Sequence, residues 1–567
     1  MLIPGPDFNA IIREQAEEDP EYLPSYNNGD SSIFEFKRSE TPPSEGEETK
    51  IVSLPNEPEV ISWYDTSAKT IYWYTDATAV YTNYDASYMF ANLNKLQVLE
   101  TNYFDTSKTT NMSNMFRFIG SYNVSVDYSF DNLDTSNVTN MSEMFYHFAD
   151  NNDTINFDLN NWNISKVTNM NSMFKETGYN SKNVTIDVHE WNITNVEDME
   201  YMFDGAGWHA DNFVLNIDGW DLRNYQIGST QRSRLLGSVG HSAKDATLYL
   251  NNIKVGQYLP SFNTVAYNAK NVKVYMNDWV LDGTTNLSST FTNTFYSMSG
   301  YTRYFEIKNW DISNITSTTS MFYQMADGRA DSTYIDLSGW KLSKNTPVNK
   351  LFYDIFLGSK NSYIDLSNWD LGDLTNLQYM FYYVAEENES ATIDITGWDT
   401  SKVTDMSNMF NNAAIFTDNI DVIGLKDLDT KNVTNMESMF YNFSYNAGVN
   451  LDLSKWNVSN VTNMNNMFNS IGRQNGNKIT ILDLSNWDIS GVTSAYAMFS
   501  NMTNLKTIYT SGDWEFESVT DPYDIAYLFA YSYQIVGGNG STYQGVYDVS
   551  MAKIDRDGVP GFFTLKQ

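Results

Sequence analysis

The side chains whose regular spacing most clearly suggests a binding site are a column of aspartates. Seven aspartates stand four residues before a tryptophan, and Glu306 holds an equivalent place. They are Asp158, Asp187, Asp336, Asp365, Asp394, Asp452 and Asp483. On neighbouring strands in register their carboxylates would lie about 5 Å apart, which is unfavourable unless nearby serines, protons or counterions relieve the repulsion. The column therefore predicts either a hydrated ladder or a face that binds Ca²⁺ or a cationic ligand, with no other cofactor.

Four basic residues form a second candidate site in the segment 223–244, which contains no acidic residue although acids outnumber bases twofold in the chain. They are Arg223, Arg232, Arg234 and Lys244. Insertions in repeat proteins become surface loops. The segment therefore predicts either a degenerate repeat or a loop that binds an acidic protein surface or an anionic glycan.

Other side chains that could do chemistry are scarce or lie in the wrong pattern. The absence of cysteine excludes disulfides, thiolate metal sites, cysteine nucleophiles and a lipidated cysteine. The four histidines have no metal-ligand spacing, which favours surface or packing roles. A glycosidase needs one distinct carboxylate pair about 5–10 Å apart, whereas these aspartates recur from repeat to repeat. The sequence therefore predicts a protein that is not an enzyme.

The charge and apolar content limit the partners. A formal net charge of −35 repels phosphate backbones and anionic lipid, so neither nucleic acid nor a membrane surface is an expected partner. The 567 residues are 41% hydrophobic and 15% aromatic, too apolar for a disordered chain. No signal peptide, lipobox or long apolar run is seen, so neither export nor membrane insertion is expected.

An internal repeat organises most of the chain. The dipeptide Met-Phe or a weaker equivalent recurs between Phe90 and Phe529 with a mean period of about 29 residues. The weaker copies place Leu236, Phe262, Phe295, Phe352 and Phe529 in the phenylalanine position. In many repeats a tryptophan stands twelve residues earlier, for example Trp369 before Phe381. Alternating apolar and polar residues open each repeat, as in 335–338, and this pattern is typical of a half-buried strand.

A single repeat cannot bury its own apolar face, so the repeats must stack. The segment 461–468 has apolar residues at the spacing of one short helical or 3₁₀ turn, with Thr462 or Asn463 as its N-cap. The sequence therefore predicts a leucine-rich-repeat-like solenoid of about 16 coils, each with one parallel strand and one such turn. The methionines of Met-x-x-Met-Phe then fill the core rather than bind copper.

The repeats resemble those of the BspA-like leucine-rich-repeat surface proteins. The resemblance rests on segment 138–145, Val-Thr-Asn-Met-Ser-Glu-Met-Phe, which follows Leu-Asp-Thr-Ser, and on the similar segment 398–410. It extends from about Ile71 to the C-terminus, where segments 553–555 and 560–563 resemble the terminal cap of that family. The resemblance implies adhesion or recognition without chemistry, and such repeats also occur in bacteriophage-encoded proteins.

The first 60 residues differ from the repeats. They end in an acidic, proline-rich stretch that is typical of a linker. Ahead of it, the sequence predicts a short amphipathic helix that presents Phe8, Ile11 and Ile12, either as part of a frayed terminus or as anchors for a larger assembly. The expected divisions are an arm and linker at 1–60, an N-terminal cap at 61–90, the solenoid at 91–530 and a C-terminal cap at 531–567.

Together these patterns predict a non-enzymatic recognition or structural rod. The missing export signal favours a virion protein, in a phage head or tail, that docks through its N-terminal arm onto a larger protein assembly. Its solenoid would then bind a host surface protein or glycan. The alternative is a bacterial cell-surface or extracellular adhesin of the BspA-like family.

Overall fold

The chain folds into two compact units, Met1–Tyr275 and Met276–Gln567. The computed structural model describes all residues except 19–30, 122–125, 225–233, 258, 261, 263, 293, 295–301, 327, 329, 357, 446–450, 474–478 and 567. In total the described residues form about 13 turns of a parallel β-solenoid, with about 29 residues in each turn and very little helix. This confirms the predicted repeat solenoid, with somewhat fewer turns than the 16 expected.

The first unit contains a stack of parallel strands, one for each turn of the chain. Its elements are α1 (Gly5–Gln15), β1 (Glu35–Arg38), β2 (Thr49–Ile51), β3 (Ile61–Asp65), β4 (Thr70–Tyr74), β5 (Val80–Tyr81), β6 (Val98–Leu99), β7 (Phe104–Asp105), β8 (Asp127–Tyr128), β9 (Thr154–Asp158), β10 (Asn183–Asp187), β11 (Asn212–Asn216), β12 (Asp221–Leu222), β13 (Asp245–Tyr249), β14 (Lys254–Val255) and β15 (Asn271–Tyr275). Strands β9, β10, β11, β13 and β15 pair in register. In β9 the side chains of Ile155 and Phe157 are buried and the other three are exposed, which is the predicted alternation.

The N-terminal segment is part of this unit and closes its first turn. Strands β2, β3 and β4 are antiparallel, and β1 lies parallel between β4 and β6. Phe8 and Ile12 of α1 are fully buried, and Ile11 is half-buried. The Phe8 ring meets Phe36 and Phe90 edge-on, with centroids 6.0 and 5.9 Å apart. The expectation that Phe8 and Ile12 are presented to a partner is therefore wrong, because they cover the apolar end of the first repeat.

The second unit repeats the same construction. Its elements are β16 (Val280–Leu281), β17 (Thr302–Glu306), β18 (Ser332–Asp336), β19 (Asn361–Asp365), β20 (Ser390–Asp394), β21 (Ile420–Ile423), β22 (Ile481–Asp483), β23 (Thr507–Thr510), β24 (Phe563–Leu565) and the 3₁₀ helices Leu425–Asp427, Pro522–Ile525 and Val549–Met551. Strands β17 to β21 pair in parallel and in register. At the C-terminal end, β24 continues the parallel sheet of β22 and β23. The C-terminal segment therefore caps the last turn with a strand of its own.

Columns of stacked aromatic rings fill the cores. In the second unit the phenylalanine rings stack from Phe291 to Phe529 with centroids 5.0–5.9 Å apart. Phe291 therefore occupies the position expected for Phe295, which lies outside the described residues. Trp279 stands twelve residues before Phe291, so the offset between tryptophan and phenylalanine also holds in this repeat.

A second column consists of tryptophans that also bind the backbone. Trp340, Trp369 and Trp398 stack with centroids 5.5 and 5.6 Å apart. The indole N–H of Trp369 donates to the carbonyl of Leu337 at 2.7 Å, and Trp398 donates to Leu366 in the same way. Each indole thus ties its own turn to the preceding one by both a ring face and a hydrogen bond.

The segment around Met-x-x-Met-Phe is not helical in the described residues, contrary to the predicted helical or 3₁₀ turn. Its backbone contains residues in the left-handed conformation, with φ of 53° at Glu143 and 50° at His147. Met144 N–H bonds back to Met141 within its own turn, whereas Phe145 N–H bonds to Met173 of the next turn at 2.8 Å. In a helix, both N–H groups would bond to carbonyls of the same segment. The bond from Phe145 to the next turn is therefore incompatible with a helix here.

Replacing Trp369 separates the two contributions of the indole. We expect Trp369→Phe to keep a ring in the stack but to leave the Leu337 carbonyl unpaired, at a cost of about 1–3 kcal/mol. Trp369→Ala should cost about 3–5 kcal/mol because both ring contacts are lost. Urea unfolding measures both. The matched control is Trp487→Phe, because the Trp487 indole N–H has no partner among the described residues. Equal losses for the two Phe variants would contradict a role for the hydrogen bond.

The left-handed positions give a second test. Ser438 has φ of 53° and is half-buried. Because a β-branched residue is strained in this conformation, we expect Ser438→Val to be about 1–2 kcal/mol less stable than Ser438→Gly. Ser142, whose backbone is not left-handed, is the control, and there the valine variant should be at least as stable as the glycine variant. Thermal unfolding measures the stabilities. If the glycine variant is more stable than the valine variant at both positions, the left-handed conformation of Ser438 is not the cause.

Candidate recognition surface

The structure places the predicted carboxylates side by side on the outward face of the strands. In the first unit, Asp158 pairs in register with Asp187. In the second unit, Asp336, Asp365 and Asp394 occupy the same register position on three successive strands. The ladder predicted from the tryptophan offset is therefore present in both units.

Backbone amides stabilise these carboxylates. In five of the predicted aspartates, one carboxylate oxygen accepts a hydrogen bond at 2.9–3.2 Å from the N–H two residues later, which closes a turn at the end of the strand segment. They are Asp336, Asp365, Asp394, Asp452 and Asp483. The hydroxyls of Ser454 and Ser485 add a second bond to the last two. Of the four serines expected to help, Ser338, Ser367, Ser454 and Ser485, the last two donate their hydroxyls to the aspartate of their own turn.

Side chains between the strands relieve the rest of the repulsion. Lys308 lies 3.3 Å from Glu306 and 3.1 Å from Asp336, so its ammonium group bridges two rungs of the ladder. In the first unit, the amide of Asn160 donates to both Asp158 and Asp187. Among the described residues, no three carboxylate or imidazole groups converge closely enough to hold a metal ion. Calcium binding by the ladder stays a prediction.

A row of tyrosines lies beside the carboxylates in the second unit. Tyr304, Tyr334 and Tyr363 stack face to face with centroids 5.1 and 5.0 Å apart. The Tyr363 hydroxyl donates to Asp394 at 3.1 Å, and the Tyr304 hydroxyl donates to Glu306. We call the following set the tyrosine–carboxylate surface: Tyr304, Tyr334, Tyr363, Glu306, Lys308, Asp336, Asp365 and Asp394. Asp336 is itself buried, at 4% exposed, and is paired with Lys308.

The tyrosines of this surface keep their protons at neutral pH. Burial, with the charges of Asp336 and Asp365, raises the pKa of Tyr334 to about 12. The hydroxyls therefore remain hydrogen-bond donors next to a row of acceptors. This row was not predicted, although each tyrosine stands two residues before a ladder carboxylate and must share its face of the strand.

The predicted basic residues have separate surroundings. Arg223 forms an ion pair with Asp221, with nitrogen–oxygen distances of 2.9 and 2.6 Å. The guanidinium of Arg234 lies 5.7 Å from the centre of the Tyr201 ring, and Lys244 is exposed. Arg232 lies outside the described residues. Two of the four charges are therefore engaged within the first unit, and binding of an anionic partner here stays a prediction.

One histidine is buried in a charged cluster. His147 is 3% exposed, and its Nδ1 lies 3.0 Å from Asp150 while its Nε2 lies 2.5 Å from Glu176. Burial alone would lower the pKa of His147, but the hydrogen bonds and charges of the two carboxylates raise it to about 9. Burial raises the pKa of Asp150, whereas the His147 hydrogen bond holds that of Glu176 below its usual value despite burial. The imidazolium thus donates to both carboxylates at neutral pH.

The imidazole of His147 is also packed against an aromatic ring. It stacks on Phe118 with centroids 5.1 Å apart, and its two nitrogens face the buried Asp150 and the half-buried Glu176. The packing role expected for the histidines holds here. The partner Glu176 could have been found from the repeat, because it follows Phe174 by the same two residues that separate His147 from Phe145.

The cluster predicts a loss of stability at alkaline pH. Because the folded pKa of His147 lies above the unfolded value of about 6.5, its stabilisation is complete below pH 6.5 and is lost as pH rises through 9. We expect a decrease on the order of 3 kcal/mol in the free energy of unfolding over this window, and a much flatter profile in His147→Gln. Urea unfolding between pH 6 and 10 measures it, with exposed His209→Gln as the control. A wild-type profile that is as flat as that of His147→Gln would contradict the charged cluster.

A family model matches much of the chain. The family is described as "Mycoplasma protein of unknown function, DUF285", and its model matches residues 84–220, 260–393, 331–445 and 423–535. No curated protein matches the sequence. Within the described residues, every helix is too short or too polar to cross a membrane. The matched ranges include both the ladder of the first unit and the tyrosine–carboxylate surface of the second.

Proposed function

Because the chain belongs to the family described as Mycoplasma protein of unknown function, DUF285, we propose that it is a non-enzymatic recognition protein of the surface or adhesion type. A repeat solenoid with this family's domain is consistent with such a protein. The description of the family names no activity. The proposal therefore depends on how the outward-facing side chains are arranged.

The observation that carries the proposal is the contrast between inward and outward positions on equivalent strands. In β10 and β19, the inward position before the carboxylate holds Ile186 and Ile364, both buried. The outward position next to it holds Thr185 in one strand and Tyr363 in the other. A fold that repeats its core and varies its outer face can present a specific binding surface without moving any backbone.

The tyrosine–carboxylate surface is the part of the second unit best suited to a macromolecular partner. Tyrosine is enriched at protein interfaces because it combines a large apolar ring with a hydroxyl that hydrogen-bonds. The adjacent carboxylates would favour a partner with basic groups. The ordered stack also means that little side-chain entropy remains to be lost on binding.

The finer placement of the protein stays a prediction. The expected docking onto a virion used Phe8, Ile11 and Ile12 as anchors, and two of these side chains, Phe8 and Ile12, are buried against the first repeat. A surface or adhesion role needs no such anchor. The proposal therefore keeps the recognition function and leaves the anchoring partner open.

Binding to immobilised proteins tests the proposal. The labelled full-length chain is applied to an array of extracellular proteins that includes collagen and mucin, and we expect it to retain at least one of them without altering its mass. Changing Tyr304, Tyr334 and Tyr363 together to Ser should weaken that binding by about tenfold or more, because the central aromatic contacts are lost. Tyr84→Ser, at a tyrosine that is 56% exposed in the first unit, is the control and should bind normally.

Two outcomes would contradict the proposal. Wild-type protein that binds nothing on the protein array and nothing on a glycan array would exclude recognition, and a bound ligand that is cleaved would exclude a non-enzymatic role. Thermal unfolding of the triple variant must show that its turns remain folded, since the three rings are half-buried.

A further inference from the structure

The second unit contains an open pocket that shares no residue with the tyrosine–carboxylate surface. Its volume is about 420 Å³, within the range of small-ligand sites. Its lining includes three aromatic and three polar side chains: Phe416, Tyr441, Tyr445, Asn442, Asn501 and Arg473. The pocket lies on the four turns that follow Phe410, Phe440, Phe468 and Phe499 of the phenylalanine column.

The rings of the pocket differ from most rings of the protein because they do not stack. In the first unit, by contrast, the rings of Trp208, His241 and Tyr267 on successive turns contact each other with centroids 3.9 and 5.3 Å apart. Phe416 is 48% exposed. Within the described part of the chain, none of the three pocket rings contacts another aromatic ring. No aromatic ring of the described residues therefore competes with a ligand for their faces, and Phe416 is the most exposed of the three.

The amides of the pocket are held in place by the scaffold. The Asn442 amide donates to Asn412 at 2.9 Å, and the Asn501 amide donates to Asn469 at 3.1 Å. Asn442 also carries an oxygen and a second N–H, so it can accept from and donate to a ligand hydroxyl at once. Asn501 donates a second bond to Ser500 at 3.1 Å, so it offers a ligand its oxygen. Two fixed amides next to unstacked rings form a pocket that offers both polar and apolar contacts.

Arg473 gives the pocket a positive charge in a strongly acidic protein. Its side chain is exposed, and no carboxylate among the described residues lies within ion-pair distance of it. The chain as a whole carries a net charge of −35. A guanidinium binds a carboxylate through two parallel hydrogen bonds. This residue therefore selects for an anionic group at one end of the pocket.

We propose that this pocket binds a glycan that carries an acidic sugar. The apolar face of a sugar ring would pack on Phe416 or Tyr445, its hydroxyls would bind Asn442 and Asn501, and its carboxylate would bind Arg473. A single carboxylate is tolerated by an acidic protein, whereas a nucleic acid of many phosphates is repelled. This proposal goes beyond protein recognition by the tyrosine–carboxylate surface and does not depend on it.

A glycan array that contains matched neutral and acidic oligosaccharides tests the proposal. We expect the full-length chain to bind acidic members, and Arg473→Gln to weaken that binding by about tenfold, because a charge-assisted hydrogen bond is lost. Phe416→Ala should also weaken it, by about fivefold or more, and the ring is exposed enough for the variant to fold. Lys402→Gln removes an exposed charge elsewhere in the same unit and should have no effect.

The outcomes separate this proposal from the general function. Binding to neutral glycans only, or acidic binding that Arg473→Gln leaves unchanged, would overturn the pocket assignment. If the chain binds immobilised proteins but no glycan, the pocket proposal fails while protein recognition stands. If it binds neither array, both proposals fail.

Discussion

The stacking of aromatic rings between successive turns is the interaction on which the remaining structure depends. A ring has two faces, and in the middle of the second unit both faces of Phe381 are covered by the phenylalanines of neighbouring turns. The spacing between successive turns therefore matches the distance at which ring faces make contact. Where four residues are added between Trp220 and Leu236, both side chains remain buried, so the addition leaves the apolar column intact.

Much of the fold follows from this period and could be predicted from the sequence. The tryptophan offset placed the strands, their register and the inward face correctly, because equivalent positions in a stacked repeat must lie side by side. The helical turn was predicted wrongly. The apolar spacing of Met464, Met467 and Phe468 also fits a non-helical backbone that contains left-handed residues such as Asn466. Side-chain periodicity does not report where an N–H group bonds, and here every second N–H belongs to the next turn.

The functional residues were predictable only where they repeat. The carboxylate ladder and its relieving serines recur, so their position could be derived. Phe8 and Ile12 lie outside the repeat, and nothing in their local pattern distinguishes an anchor for a partner from a cover for the first turn. The pocket around Arg473 combines residues from successive turns that differ from one another, and such a combination has no signature in a single repeat.

The two ends of the chain terminate the phenylalanine columns in the same way. Phe8 meets Phe90 edge-on, and Phe562 meets Phe529 at an interplanar angle of 84°, whereas neighbouring rings inside the columns are nearly parallel. A parallel ring would offer a fresh face on which the first turn of another molecule could continue the stack. A perpendicular ring offers none, so Phe8 and Phe562 each turn an edge rather than a face toward the last parallel ring of the column that they cover.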